Sequence, residues 1–257
     1  MTATGRQPTA SVPAAPNWAR RPANLAGAVT AELVGRIVRG DHPSGTSLPP
    51  EPVLCEVFSV SRTVIREAMK VLQEKGLVQV RQGAGTVVNP PSTWNTLDEL
   101  VLGAVVTEDG TLGVLDDLVV TRRLLESDMA QVAARTADQD TLDALRDLVD
   151  LMDTLVDDPV AYRGQDQLFH DRIMRSSANR IARGVVRALE SQVVNTASYM
   201  GRTDNSLCVA SNQGHRRIYE RIAARDPAGA AEAMFTHITE AWLVRRGASG
   251  DPSRLER

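Results

Sequence analysis

A chain of 257 residues, 42% of them hydrophobic, is long enough for two domains with cores of their own and too long for a minimal disulfide-stapled module. Its two cysteines, Cys55 and Cys208, lie far apart in the chain, which excludes a disulfide framework and suits a reducing, cytoplasmic setting. The formal charge of −3 argues against a partner bound through bulk positive charge, yet it sums two unlike halves: residues 1–88 carry ten basic and six acidic side chains, residues 89–257 carry 19 and 26.

Residues 1–22, rich in Pro, Ala and Thr and without an apolar h-region, read as a disordered tail rather than a signal peptide. A helix is expected over 23–39, where Leu25, Val29, Leu33 and Ile37 recur at four-residue spacing; Gly40 and Pro43 end it. "DHPSGTSLPP" (41–50) reads as a loop and 51–58 as a short helix with Pro52 in its first turn. A third helix fits 62–75, with Ser61 as N-cap and Gly76 as its stop. In "LVQVRQGAGTVV" (77–88), two β-favouring runs are split by Gly83 and Gly85, a hairpin signal. Pro90 and Pro91 then mark a boundary, giving a first domain at 23–90.

Beyond that boundary no strand is expected. Helices fit 96–106, 113–137, 141–156, 160–176, 180–200, 212–224 and 227–246, broken at Gly110, Thr141, Pro159, Asn179, Gly201 and Pro227. They make an all-α domain at 91–248, with a flexible tail at 249–257. No run approaches the ~18–20 apolar residues of a membrane helix, so no membrane partner is expected. The fold class is mainly α: a winged helix-turn-helix followed by a helical bundle with room for an interior site.

A winged helix-turn-helix reads DNA through a helix whose exposed start reaches base edges while its other face packs on the domain. In "SVSRTVIREAMKVLQEKGLV" (59–78), Val64, Ala68, Val71 and Leu72 can face the core, leaving Ser61, Arg62, Thr63 and Arg66 outward. Arg can take guanine bidentately or bind phosphate; Ser and Thr can take either. Gly83, flanked by Arg81 and Gln82, lets the wing tip approach a backbone closely.

The second half carries three of the four histidines. His170, His215 and His237 sit in three separate helices, each on an apolar stripe, and Asp166 lies one turn before His170 on the same face. Three inward imidazoles and one inward carboxylate can share a divalent ion; with no thiolate among them, the set suits Zn first, and also Ni, Mn or Fe. Arg122 shares a stripe with Leu118, Leu125 and Met129, so its guanidinium points inward. It can anchor a ligand carboxylate or form an internal ion pair with Glu126 one turn on. Arg123 is expected to be solvated.

The segment "LPPEPVLCEVFSVSRTVIREAMKVLQEKGLVQVRQGAGTVV" (48–88) resembles the DNA-binding domain of GntR-family bacterial transcription regulators. The resemblance assigns Arg62, Thr63 and Arg66 to recognition-helix contacts and Gln82 and Gly83 to the wing tip. Where many members have Ser-Glu-Arg after Leu-Pro, this chain has Pro50-Glu51-Pro52, so an arginine contact to DNA is missing or replaced. "TRRLLESDMAQVAARTA" (121–137), "DQLFHDRIMRSSANR" (166–180) and "HRRIYERIAARDPAGAAEAMFTHI" (215–238) are similar to FCD, the helical effector domain of the FadR-like subfamily. This resemblance implies an effector-binding role for Arg122 and a metal held by Asp166, His170, His215 and His237. It also implies a carboxylate effector rather than a long acyl-CoA ester. "TWNTLDELVL" (93–102) resembles regulators of sugar-acid use.

The expected protein is a ligand-responsive repressor: a homodimer on a pseudo-palindromic double-stranded operator, released by a small organic acid such as a sugar acid. The alternative is an all-α metal-dependent hydrolase of the HD type, suggested by the dipeptide His170-Asp171. It is disfavoured because adjacent residues do not share a helix face, and because the remaining histidine, His42, falls in the winged domain.

Overall fold

The computed structural model describes residues 24–109, 112–193 and 205–246. The expected tails, the breaks at Gly110 and Gly201 and the end of the 180–200 helix lie outside them. Among the described residues are ten α-helices and one two-stranded sheet, and the chain divides into two compact units at Ala104 and Val105.

The first unit holds α1 (Leu25–Arg39), α2 (Glu51–Phe58), α3 (Arg62–Glu74) and the antiparallel strands β1 (Val78–Arg81) and β2 (Gly85–Val88). Asn24 caps α1 by accepting from the Gly27 amide at 2.8 Å, and Gly40 ends the helix in the left-handed region at φ 84°. Val29, Leu33 and Ile37 of α1 are buried, with Leu54 and Phe58 of α2. On α3 the fully buried stripe is Ile65, Ala68 and Leu72; Val64 and Val71 are only half-buried. Spacings of three and four from Ile65 define one face, and Val64 stands about 100° away from it. Val78 pairs with Val88 and Arg81 with Gly85, so the turn at 82–84 forms the tip. The 41–50 segment is not wholly loop: Leu48 donates to Thr86 at 2.8 Å and Val88 donates to Thr46 at 2.9 Å, so it adds a short edge to β2.

α4 (Glu99–Glu108) spans the division. The second unit contains α5 (Gly113–Thr136), α6 (Gln139–Thr154), α7 (Pro159–Ser176), α8 (Arg180–Val193), α9 (Asn205–Ala223) and α10 (Pro227–Arg246). α5 is its axis, lying along α10 and touching α7, α8 and α9; α6 packs on α7 and α9. Asp138 caps α6 through the Thr141 amide, and Asp158 caps α7 through the amides of Val160 and Ala161, with Pro159 in the first helical turn. The α9 helix begins at Asn205, earlier than its Ser, Asn and Gly content suggests, because packing overrides propensity. Cys208 and Asn212 are buried there, and the Asn212 amide donates to the Val149 carbonyl at 3.0 Å.

Charged groups enter this core in pairs. Asp116, fully buried in the first turn of α5, accepts two hydrogen bonds from the Arg246 guanidinium at 2.9 Å and one from Trp242 Nε1 at 2.8 Å. Arg123 departs from the expectation of a solvated side chain. It is 2% exposed, with its guanidinium 4.5 Å from the Phe235 ring centre. The contact between α5 and α10 covers the face on which it sits.

Candidate functional site

Asp166 and His170 come from α7, His215 from α9 and His237 from α10. Their ligand atoms all lie within 4.8 Å of one another. The three imidazoles are at most 4% exposed. His170 Nε2 faces His237 Nε2 at 3.3 Å, and His215 Nε2 lies 3.2 Å from Asp166 Oδ1. That second contact is misaligned for a hydrogen bond, so a buried ring nitrogen has no hydrogen-bond partner. An orphaned imidazole nitrogen converging with two others and a carboxylate suits a divalent cation: the donor set is N3O, and its lone pairs point inward.

The outer nitrogens are tied elsewhere. His170 Nδ1 is 2.6 Å from Glu126 Oε2, and His215 Nδ1 is 3.3 Å from the Tyr162 hydroxyl. The Glu126 carboxylate can only accept, so it selects the His170 tautomer that leaves Nε2 for the cluster. Gly214 lets α9 approach α10, since a Cβ at this position would collide with the His237 ring. Sequence reasoning missed Glu126 as a partner of His170, and Gly214 altogether. The Glu126-to-Arg122 spacing was visible; the chain-distant contact to His170 was not.

Electrostatics follow from these contacts. Burial works to raise the Asp166 carboxyl, but the His215 and His170 rings hold it well below the usual carboxylate range. Burial likewise opposes ionisation of Glu126, yet Arg122 and His170 lower it to about 2. For His170, burial acts downward and the Glu126 carboxylate outweighs it, so its pKa is raised. His215 is lowered by burial, and His237 well below the ordinary value by burial and by the two neighbouring rings.

Two cavities adjoin the cluster. One of about 250 Å³ lies among α7, α9 and α10, with Tyr162, Arg163, Asp166, His237 and Arg245 in its walls. A recess of about 20 Å³ is lined by Arg122, Asp166, His170, His237, Trp242 and Arg245. Arg122 is 8% exposed and points inward. It forms the internal ion pair with Glu126 that stood as the alternative to a ligand anchor, Nε to Oε1 at 2.7 Å, and a second one with Glu190 on α8, Nη2 to Oε1 at 2.8 Å. Asp171 turns away from the cluster and accepts from Arg175 and Arg183, which removes the His-Asp pair that the hydrolase alternative needs.

In the first unit, Ser61, Arg62, Thr63, Arg66, Arg81, Gln82 and Gly83 are all exposed. Ser61 occupies the N-cap position of α3 without a capping hydrogen bond from its side chain. Gly83 has φ 78°, a left-handed conformation that suits glycine at the tip. Arg66 Nε donates to Glu51 Oε2 at 3.0 Å, so the Pro50-Glu51-Pro52 segment sets a carboxylate beside an exposed arginine of α3.

A three-helix unit with a hairpin wing, followed in the chain by a helical unit enclosing an N3O donor cluster, defines a DNA-binding transcription regulator rather than an enzyme. Residues 25–88 match the family of bacterial regulatory proteins named gntR, and residues 117–240 match the FCD domain. The chain is 36% identical over 161 residues to the uncharacterized HTH-type transcriptional regulator YieP of Escherichia coli K12, covering 61% of this chain and 69% of that protein. It is 29% identical over 205 residues to the galactonate operon transcriptional repressor of the same organism, covering 79% and 89%. The solved structure of Lar, described as controlling expression of the Listeria monocytogenes agr system, superposes with a TM-score of 0.57 at 18% identity, over 87% of this chain and 97% of that one, a likeness of fold. The chain belongs to the GntR family and carries an FCD domain.

Proposed function

We propose that this regulator is a cytoplasmic, homodimeric repressor that leaves a pseudo-palindromic operator when a small organic acid binds in the second unit. The carrying observation is that Asp166 and His237 belong at once to the donor cluster and to the walls of both cavities. A ligand in either cavity therefore lies against the donor set.

Asp166, His170, His215 and His237 would hold a divalent cation, zinc before nickel, manganese or iron, which supplies a Lewis-acidic position for a carboxylate oxygen. The chain's own groups do the rest. Arg122 supplies a fork for the acid, Arg163 and Arg245 line the walls, and the apolar remainder excludes water. The galactonate repressor is similar over most of its length, which favours a sugar acid as the effector class. On the DNA side, Arg62, Thr63, Arg66 and Ser61 address the major groove, while Arg81, Gln82 and Gly83 address the backbone. Acid and operator then oppose one another reciprocally, each favouring a different arrangement of the protein.

The test is release from a fluorescent operator, chosen from random duplexes, while galactonate and related sugar acids are titrated onto zinc-loaded protein. Arg122→Ala and His215→Ala should each shift release to higher acid concentration. Release that neither substitution alters would overturn the assignment of the sensing site.

A further inference from the structure

We propose that Glu190 is a built-in competitor for the effector: without acid, its carboxylate holds the place on Arg122 that the effector's carboxylate takes over. The inference rests on the reading of Arg122 as the effector's anchor and adds what that anchor does beforehand.

Arg122 holds two carboxylates that are not equivalent. Glu126 lies one turn along the same helix, has a fully buried side chain, and gives its other oxygen to His170 Nδ1 at 2.6 Å. It is committed to the donor cluster. Glu190 reaches Arg122 from α8, and its side chain keeps 16% of its surface exposed. Among the described residues, Arg122 is its one ion-pair partner. The Glu190 contact uses Nη2, on the edge of the guanidinium where a planar acid docks bidentately.

The shared edge of Arg122 makes the two occupants exclusive. Around Arg122 stand the carboxylates of Glu126 and Glu190, with Asp166 lining the same recess. A carboxylate that docks on this edge needs the position that Glu190 Oε1 holds, and Glu126 is kept in place by its second tie to His170. Glu190 is the group able to leave, because it is partly solvated and sits on a separate helix.

Its departure has a mechanical consequence. α8 is pinned at two points. Near its start, Arg183 binds Asp171 at 2.7 and 3.1 Å, and Ala182 and Val186 pack on Met129 and Met174. Near its end stand Glu190, paired with Arg122, and the buried Leu189. Exchange of Glu190 for the acid removes the polar tie at the end and leaves only the packing of Leu189 there, while the start stays in place, so acid binding is translated into a looser hold on the last two turns of α8.

The experiment titrates acetate, lactate and gluconate by calorimetry onto zinc-loaded wild type, Glu190→Gln and Arg122→Ala, with zinc content measured for each. Hydrogen exchange is followed across 180–193. Glu190→Gln should bind the probes about tenfold tighter, the factor expected if Glu190 occupies Arg122 roughly nine-tenths of the time. Saturating probe should speed exchange at the end of α8 in the wild type, and Glu190→Gln should show that fast exchange without probe. A merely structural glutamate would weaken binding when replaced, not strengthen it. Unchanged or weaker binding by Glu190→Gln, with Arg122→Ala still defective, overturns the competition and leaves the Arg122 reading standing. Full affinity in Arg122→Ala, or no probe binding in any variant, overturns both. Should Glu190→Gln fold poorly, Glu190→Ala and the wild-type exchange measurement decide, and no rise in α8 exchange at saturation counts against the proposal.

Discussion

His170 Nδ1 lies 2.6 Å from Glu126 Oε2, and this contact decides which edge of the imidazole faces the cluster. With Nδ1 protonated and donating to the carboxylate, Nε2 is left as a lone-pair donor, aimed toward His237. Glu126→Gln keeps the shape and removes the charge. Metal affinity should fall about 10- to 100-fold, the usual loss when an outer-shell partner is changed. Competition against a chromophoric chelator measures it, and circular dichroism confirms that the variant is folded.

Metal uptake should weaken on acidification, with His170 setting the range. A metal ligand must be a neutral imidazole. His215 and His237 have lowered pKa values and are neutral at about pH 7, whereas that of His170 is raised and it holds a proton there longest. Binding therefore releases that proton. Affinity climbs with pH up to the raised His170 value and levels above it. Zinc titrations from about pH 6 to pH 9 should show this climb, and Glu126→Gln should move it to lower pH. A flat wild-type profile would contradict it.

Gly214→Ala tests the close approach of α9 to α10. The added methyl meets the His237 ring, so either the ring or the helix must shift. Overpacking of this kind costs about 1–3 kcal/mol. Urea unfolding reads that loss in the metal-free protein, and the chelator assay should show weaker metal binding in the variant that remains folded.

On the DNA side, Arg62→Ala should cost about 1–3 kcal/mol if the guanidinium is bidentate to a base, or lower the salt slope by about one if it meets phosphate. Glu51→Gln should do the reverse of a contact loss. It releases Arg66 from its 3.0 Å ion pair and removes a negative charge near the phosphates, so operator affinity rises. Anisotropy titrations at several salt concentrations check both variants, and unchanged or tighter binding by Arg62→Ala would sink the recognition-helix assignment.

Asp116→Ala should be the most destabilising of these substitutions. It removes the buried carboxylate that accepts from the Arg246 guanidinium and from Trp242 Nε1. Losing one member of a buried pair costs about 3–5 kcal/mol. Denaturant midpoints measure this, and the Trp242 emission should change with them.

The element boundaries marked by caps and breakers were legible because those signals are local; the start of α9 at Asn205 was not. Asp158-Pro159 starts α7 and Gly40 ends α1 just where the pattern indicates. The histidines and Asp166 were legible for a related reason: a polar residue on an apolar stripe must face inward and must be satisfied there. Arg123 marks the limit of that logic. A guanidinium beside an inward arginine looks solvated along one helix, but Phe235, 112 positions later, covers it.

Sequence alone thus determined the class of each element, the exposed basic start of α3 and the donor residues of the cluster, since each depends on neighbours within a helical turn or two. Only the tertiary structure decided who meets whom. Glu126 is a partner of His170 as well as of Arg122, Glu190 shares Arg122, and Asp116 belongs to Arg246 and Trp242. These pairs join helices separated by tens of residues, and no local periodicity encodes them; burial does, because a charge removed from water takes whichever opposite charge the packing of helices brings within reach.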